Sequence, residues 1–260
     1  MNEIYSDWLK YRPTYKKLKE FNSGLIQLAL DKHPTVDNKI TGHVSRVVTG
    51  DAGIGKSTYS FKILAKLHYA FNGYTKVDEE EYSYKFALDN MIYRPRQLFD
   101  AVKVQRKLDM PALGWCIDDA SVHMGRQLFD QDREGYRNLQ GVVPTLREDV
   151  TLLLITTISV GLLAKPWREF IRRKVHIQSM GSLKDYKRLA KHYEKWYYPD
   201  DIRFRIGIPF QDKFSCLVPE PFYSWYHKKK MDALNEYLDV ISKYKFKDES
   251  SETMEEDLSE

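Results

Sequence analysis

Residues 50–58 read Gly50-Asp51-Ala52-Gly53-Ile54-Gly55-Lys56-Ser57-Thr58, and they follow the apolar run from His43 to Thr49. The pattern G-x-x-x-x-G-K-[S/T] has its meaning only between the end of a strand and the start of a helix. There the glycines let successive backbone N–H groups turn toward phosphate oxygens, and the helix adds its positive N-terminal end. Residues 50–58 are therefore the predicted grip for a nucleoside triphosphate. Lys56 is expected to reach the β- and γ-phosphates and Ser57 to ligate Mg²⁺ through its hydroxyl, with Thr58 one place further into the helix.

Hydrophobic periodicity continues the alternation the loop requires. After the strand at 43–49 comes a helix over 56–71, with Tyr59, Ile63, Leu67 and Ala70 on one stripe and Asn72-Gly73 as its stop. The segment from Phe86 to Tyr93 is mixed, and Pro95 opens a helix to about Lys107. Leu113–Ile117 is a short strand, 126–140 a charged helix, 151–157 the most apolar strand, 166–174 a helix and 175–177 a last short strand. Strands separated by helices imply right-handed crossovers and an α/β fold, with a mainly parallel sheet covered on both faces. Four regions are expected: a helical N-terminal extension at 1–40, a core at 41–180, a basic C-terminal appendage at 181–247 and an acidic tail at 248–260. Within the appendage the pattern predicts a basic helix at 182–196, two short β runs and a helix at 224–245.

The net charge of +4 conceals an asymmetry. All 41 basic side chains precede residue 248 while 7 of the 37 acidic ones lie in 248–260, so residues 1–247 carry 41 against 30, a net +11. A body of that sign favours a polyanionic partner, and the tail reads as a solvating segment. Two cysteines, Cys116 and Cys216, cannot build a disulfide framework and suit a reducing compartment. Without a secretion-like leader or an uncharged stretch of about 18 residues, the expectation is a cytoplasmic protein with no membrane contact.

Hydrolysis of a triphosphate needs acids beside the loop. The run Leu113-Gly114-Trp115-Cys116-Ile117 ends in Asp118-Asp119, at the strand end where open α/β sheets bind ligands. Asp118 is the candidate Mg²⁺ ligand, and Asp119 the group that polarises the attacking water. The competing reading makes the pair a helix cap. The strand at 151–157 ends in Thr156-Thr157, and either threonine is placed to sense the γ-phosphate, with Thr157 taken as the catalytic candidate; β-propensity accounts for them equally well. Arg126, Arg133, Arg137 and Arg147 stand between these strands. Arg147 is the first choice for a guanidinium that stabilises transition-state charge, often donated by an adjacent subunit.

Glycine loop, acidic strand with Asp118-Asp119 and strand with Thr156-Thr157 together resemble the P-loop ATPases that carry an additional strand and a catalytic acid, the branch of AAA+ proteins, RecA-like motors and FtsK/HerA-type translocases. The likeness spans about residues 43–178. Leu146 to Thr157, followed by Leu162 to Arg172, resembles the region after the acidic strand in FtsK/HerA and viral packaging ATPases. Two departures stand: threonine where those translocases end this strand in glutamine, and Asp119 where glutamate is commoner. The small, Tyr- and Lys-rich whole is similar to ATPases of archaeal viruses and plasmids. That resemblance implies ATP and Mg²⁺ as cofactors, a homo-oligomer, and a place in the host cytoplasm if viral.

Two basic surfaces bear on DNA as a partner. Lys165, Arg168, Arg172, Arg173, Lys174, Lys184, Lys187, Arg188 and Lys191 lie near Trp167, Tyr186, Tyr193, Trp196, Tyr197 and Tyr198, and Lys228-Lys229-Lys230 lies beside Tyr223, Trp225 and Tyr226. Aromatic stacking with phosphate contacts is the nucleic-acid reading; solvated faces over a small core is the other. Thr75-Lys76-Val77-Asp78 and Asp132-Arg133-Glu134-Gly135 match guanine-nucleotide patterns in reversed order, so ATP is favoured over GTP. The chain thus reads as a Mg²⁺-dependent ATPase of a mobile genetic element acting on DNA, in packaging or translocation or in replication loading. The rivals are a small-molecule kinase and an interaction protein that uses ATP as a switch with little turnover.

Overall fold

The computed structural model describes residues 18, 21–34, 42–76, 79–108, 110–123, 125, 133–171, 173–181, 186–197 and 204–243. Most of 1–40, Arg126, Arg172, Lys184 and the acidic tail at 248–260 lie outside them. The described chain runs α1 (Gly24–Leu30), β1 (Val44–Thr49), α2 (Lys56–Phe71), α3 (Glu80–Asp89), β2 (Met91–Ile92), α4 (Pro95–Gln105), β3 (Ala112–Ile117), α5 (Arg133–Val142), β4 (Val150–Thr156), α6 (Lys165–Phe170), β5 (Lys174–Ser179), β6 (Lys187–Tyr197), β7 (Phe204–Gly207), β8 (Gln211–Ser215) and α7 (Phe222–Lys243). Short helical turns at Ala120–His123 and Leu146–Asp149 lead out of β3 and into β4.

Strand order is β2-β3-β4-β1-β5-β6-β7, with β8 on β6. The first five are parallel, and β4 sits between the loop strand β1 and the acidic strand β3. All seven residues of β4 are buried, as expected for a central parallel strand covered on both faces. Its side chains alternate: Leu152 and Leu154 join Val48, Leu64 and Leu67 under α2, while Leu153 and Ile155 join Trp115, Leu139 and Trp167 on the other face. These two apolar layers hold the C-terminal ends of β1, β3 and β4 in register at one end of the sheet.

The helix expected at 182–196 is instead strand β6, antiparallel to β5. Its inward residues are Arg188, Ala190 and His192, so period-two alternation was hidden by polar groups on the buried side. His192 Nε2 is bound inside by Asp212 of β8 (to Oδ2, 2.9 Å) and the Tyr59 hydroxyl of α2 (3.0 Å), while its Nδ1 has no partner among the described residues. Tyr59 and Ser23 also donate to Asp212 Oδ2, at 2.5 and 2.6 Å, tying α1, α2, β6 and β8 together. Ser23 accepts the Leu25 amide as the cap of α1. Strands β6, β7 and β8 thus extend the core sheet. Among the described residues no helix is long and apolar enough to cross a membrane.

Candidate functional site

The glycine loop leaves β1 and enters α2 as its spacing requires. Gly50 (φ 145°), Gly53 (φ 72°) and Gly55 (φ 104°) take conformations that L side chains rarely adopt. Gly55 is the N-cap of α2, and a Cβ there would strike the Cys216 sulfur; at Gly50 one would lie 2.9 Å from the Ile177 carbonyl. Arg188 Nε donates to the Ile54 carbonyl at 3.1 Å, so β6 braces the loop from behind. Lys56 is buried, its Nζ donating to the loop's own carbonyls at Gly50 (2.9 Å) and Asp51 (2.8 Å). Burial lowers the pKa of that ammonium and nearby Lys230 lowers it further, against the opposing pull of Asp119, Asp118 and Asp51.

Asp118 follows β3 directly and is 1% exposed. A carboxylate taken that far from water needs partners on both oxygens. Thr156 Oγ1 donates to Oδ1 at 2.6 Å and the Tyr226 hydroxyl to Oδ2 at 3.1 Å. Lys230 Nζ lies 3.5 Å from the same Oδ2 and 2.5 Å from Asp119 Oδ2. Asp119 is in the left-handed region (φ 47°), with its amide donating to Thr156 Oγ1 at 2.8 Å. That bend turns adjacent carboxylates to different tasks: one is sealed against the sheet, the other half-buried at the surface. A residue held in this way is strained by of order 1–3 kcal/mol, and such strain concentrates at functional sites.

One hydroxyl joins the two halves. The Tyr226 hydroxyl donates to Asp118 and lies near enough to the Ser57 side chain to feel it, so loop, acidic strand and α7 converge on one small region. Burial raises the pKa of this phenol, and the Asp118 charge raises it further, keeping it protonated and able to donate. A serine hydroxyl and a carboxylate brought near one another are hard oxygen donors of the kind Mg²⁺ accepts alongside water and phosphate. The position already draws a cation, the Lys230 ammonium. Ser57 and Asp118 therefore fit a divalent ion.

The remaining candidates are distributed unevenly. Asp51, Ala52 and Gly53 are exposed, Ile54 is buried and Thr58 half-buried. Of the two threonines, Thr156 touches Asp118; the Thr157 hydroxyl donates to the Ser159 carbonyl at 2.9 Å. Arg147 lies at the other end of β4, about 20 Å away by strand rise, with its side chain 69% exposed. Arg133 and Arg137 are exposed on α5.

Trp167, a candidate for base stacking, is fully buried in the core. Lys229 pairs with Asp89 (3.1 Å) and the Leu88 carbonyl, so two of the three lysines at 228–230 are engaged within the fold. Arg173 pairs with Glu194 and Lys165 with Glu169, while Lys174 lies over the Tyr193 ring. The site roles of Tyr226 and Lys230 escaped sequence reading. Their spacing of four puts them on one face of a helix, but nothing local says that this face meets Asp118.

No family model and no curated protein sequence matches the chain. Among solved structures it is similar to the N-terminal domain of zonular occludens toxin from Neisseria meningitidis, at 14% identity over 71% of this chain and 98% of that one, with a TM-score of 0.37. A KaiC-like protein from the hyperthermophilic archaeon Pyrococcus horikoshii matches at 16% identity over 68% and 96%, with a TM-score of 0.33. ATPases 2 and 3 of EssC from Geobacillus thermodenitrificans match at 12% identity over 78% of this chain and 45% of that one, with a TM-score of 0.32. At such scores the likenesses weigh nothing alone. A complete phosphate-loop motif, folded between a parallel strand and a helix with acids two strands away, defines a P-loop fold.

Proposed function

We propose that the chain is a Mg²⁺-dependent ATPase that acts on DNA as part of a mobile genetic element, in packaging or translocation or in replication loading. The observation that carries the hydrolytic part is the closeness of Ser57 to the Tyr226 hydroxyl that binds Asp118, with Asp119 turned outward beside them. Lys56 would exchange the Gly50 and Asp51 carbonyls for phosphate oxygens, releasing a buried ammonium to a stronger partner. Ser57 and Asp118 would hold Mg²⁺, which when bound neutralises charge on the phosphates. Asp119 would orient and polarise water, while Thr156 keeps both acids in place. The insertion of β4 between β1 and β3 supports the additional-strand branch. Arg147, remote within one subunit, would act only from a neighbour in a homo-oligomer.

DNA action is supported by the +11 balance of residues 1–247 and by exposed Lys165 and Arg168 on α6, Arg173 and Lys174 at the start of β5 and Lys187 on β6. The deciding experiment is ATP turnover with and without single- and double-stranded DNA over a salt series, with mass by light scattering. DNA-stimulated turnover in an oligomer upholds the reading; turnover indifferent to DNA at low salt removes DNA from it. A second reading, a nucleotide-switched interaction protein with little turnover, draws on Lys230 seated between the acids. It predicts tight ATP binding with negligible hydrolysis in the same assay.

A further inference from the structure

Helix α7 does more than cover the sheet edge. Tyr226 and Lys230 project from successive turns onto the acidic pair, Tyr226 onto Asp118 with Ser57 nearby and Lys230 onto Asp118 and Asp119. Further along, Lys229 binds Asp89 and the Leu88 carbonyl, and Arg94 Nη1 pairs with Glu236 Oε2 at 2.6 Å, so the helix is clamped to α3 and to the start of α4. Phe222 and Tyr226 pack on Tyr84 and Phe61 beneath it. The Lys230 ammonium meets a charge need that would otherwise leave Asp118 buried without a full counter-ion.

We propose that docked α7 and a bound divalent cation are alternative occupants of Asp118, so that loading the site with metal and nucleotide withdraws Lys230 and Tyr226 and loosens the helix. The physical reason is competition for lone pairs. Asp118 Oδ1 is committed to Thr156, leaving Oδ2 to be shared among Tyr226, Lys230 and the metal. A divalent ion with its water shell demands near-octahedral room, which a phenol and an ammonium at 3.1 and 3.5 Å from that oxygen do not leave. The position of α7 thereby reports the state of the site, a connection from phosphate chemistry to a surface remote from the loop. This inference rests on the assignment of Asp118 and Ser57 as metal ligands.

The test uses the full chain. Mn²⁺ alone is titrated into nucleotide-free protein and followed by electron paramagnetic resonance, for wild type, Lys230→Met, Lys230→Arg and Glu236→Gln. Lys230→Met is expected to tighten Mn²⁺ at least tenfold and Lys230→Arg to keep the weak binding of wild type. Glu236→Gln is the decisive variant. It removes a negative charge, which by simple electrostatics would weaken metal binding, yet it also releases the clamp on α7. An exposed ion pair contributes up to about 1 kcal/mol, so competition predicts Mn²⁺ binding two- to fivefold tighter. Hydrogen exchange of amides 222–236 is expected to quicken when wild type takes up Mn²⁺ with a non-hydrolysable ATP analogue. Weaker or unchanged Mn²⁺ binding in Glu236→Gln, or exchange that does not respond to loading, overturns the competition. If wild type binds Mn²⁺ but no ATP analogue, the nucleotide reading fails while the titration still judges the gate.

Discussion

The Thr156 hydroxyl donates to Asp118 Oδ1 at 2.6 Å while accepting the Asp119 amide at 2.8 Å. A single β4 side chain thus positions two consecutive residues of the neighbouring loop. Replacing it by the near-isosteric Thr156→Val leaves a buried carboxylate oxygen and an amide unpaired, each costing about 1–3 kcal/mol. The expected outcome is a lower Tm together with weaker Mg²⁺-nucleotide binding, both restored in large part by Thr156→Ser. Calorimetry and a fluorescent nucleotide titration check this; a Tm within a degree of wild type would refute the positioning role.

Asp119 is a third exposed and paired only with Lys230 among its described side-chain contacts, so it is not required for the fold. Asp119→Asn is expected to keep nucleotide affinity within about threefold and to lower turnover at least a hundredfold, the scale of a lost general base. Steady-state turnover alongside equilibrium binding separates the two effects. Unchanged turnover would remove Asp119 from the chemistry.

Gly55 cannot accept a methyl group without strain. Left-handed backbone costs other residues about 1–2 kcal/mol, and the added carbon would also meet the Cys216 sulfur. Gly55→Ala is expected to lower Tm by several degrees and to abolish nucleotide binding. Adding Cys216→Gly to make room is expected to recover stability more than binding, because the strain at φ 104° persists. Chemical denaturation of the single and double variants measures the split.

Burial lowers the His192 pKa below its ordinary 6.5, outweighing the Asp212 carboxylate, so its contacts to Tyr59 and Asp212 are those of a neutral ring. The native state then resists a proton that the unfolded chain accepts. Its contribution is complete above about pH 6.5 and is lost as pH falls from there through the depressed native value. His33 and His43 shift in the same direction for the same reason. Stability by denaturant titration is expected to fall from pH 7.5 to pH 5, with a slope of up to about 1.4 kcal/mol per pH unit for each such histidine. A flat profile over that interval would contradict the buried network.

The glycine loop, the strand and helix around it and the acids at 118–119 were legible because each is a local pattern: backbone permissiveness at 50, 53 and 55, and an apolar run that ends in charge. Strand β6 was not, since its buried face carries Arg188 and His192, whose reason for being inside is a hydrogen-bonding partner far along the chain. Thr156 and Thr157 are equivalent by propensity; pleat and register alone sent one toward Asp118 and the other toward Ser159. By itself the sequence determined that a phosphate loop would open a parallel α/β sheet with an acidic pair at the end of another strand, because those features depend on residues adjacent in the chain. Tertiary structure alone decided that Tyr226 and Lys230, far along the chain from both, would close over Ser57 and Asp118. Such a meeting is set by how a helix packs across the sheet, and no local periodicity encodes where its polar face will land.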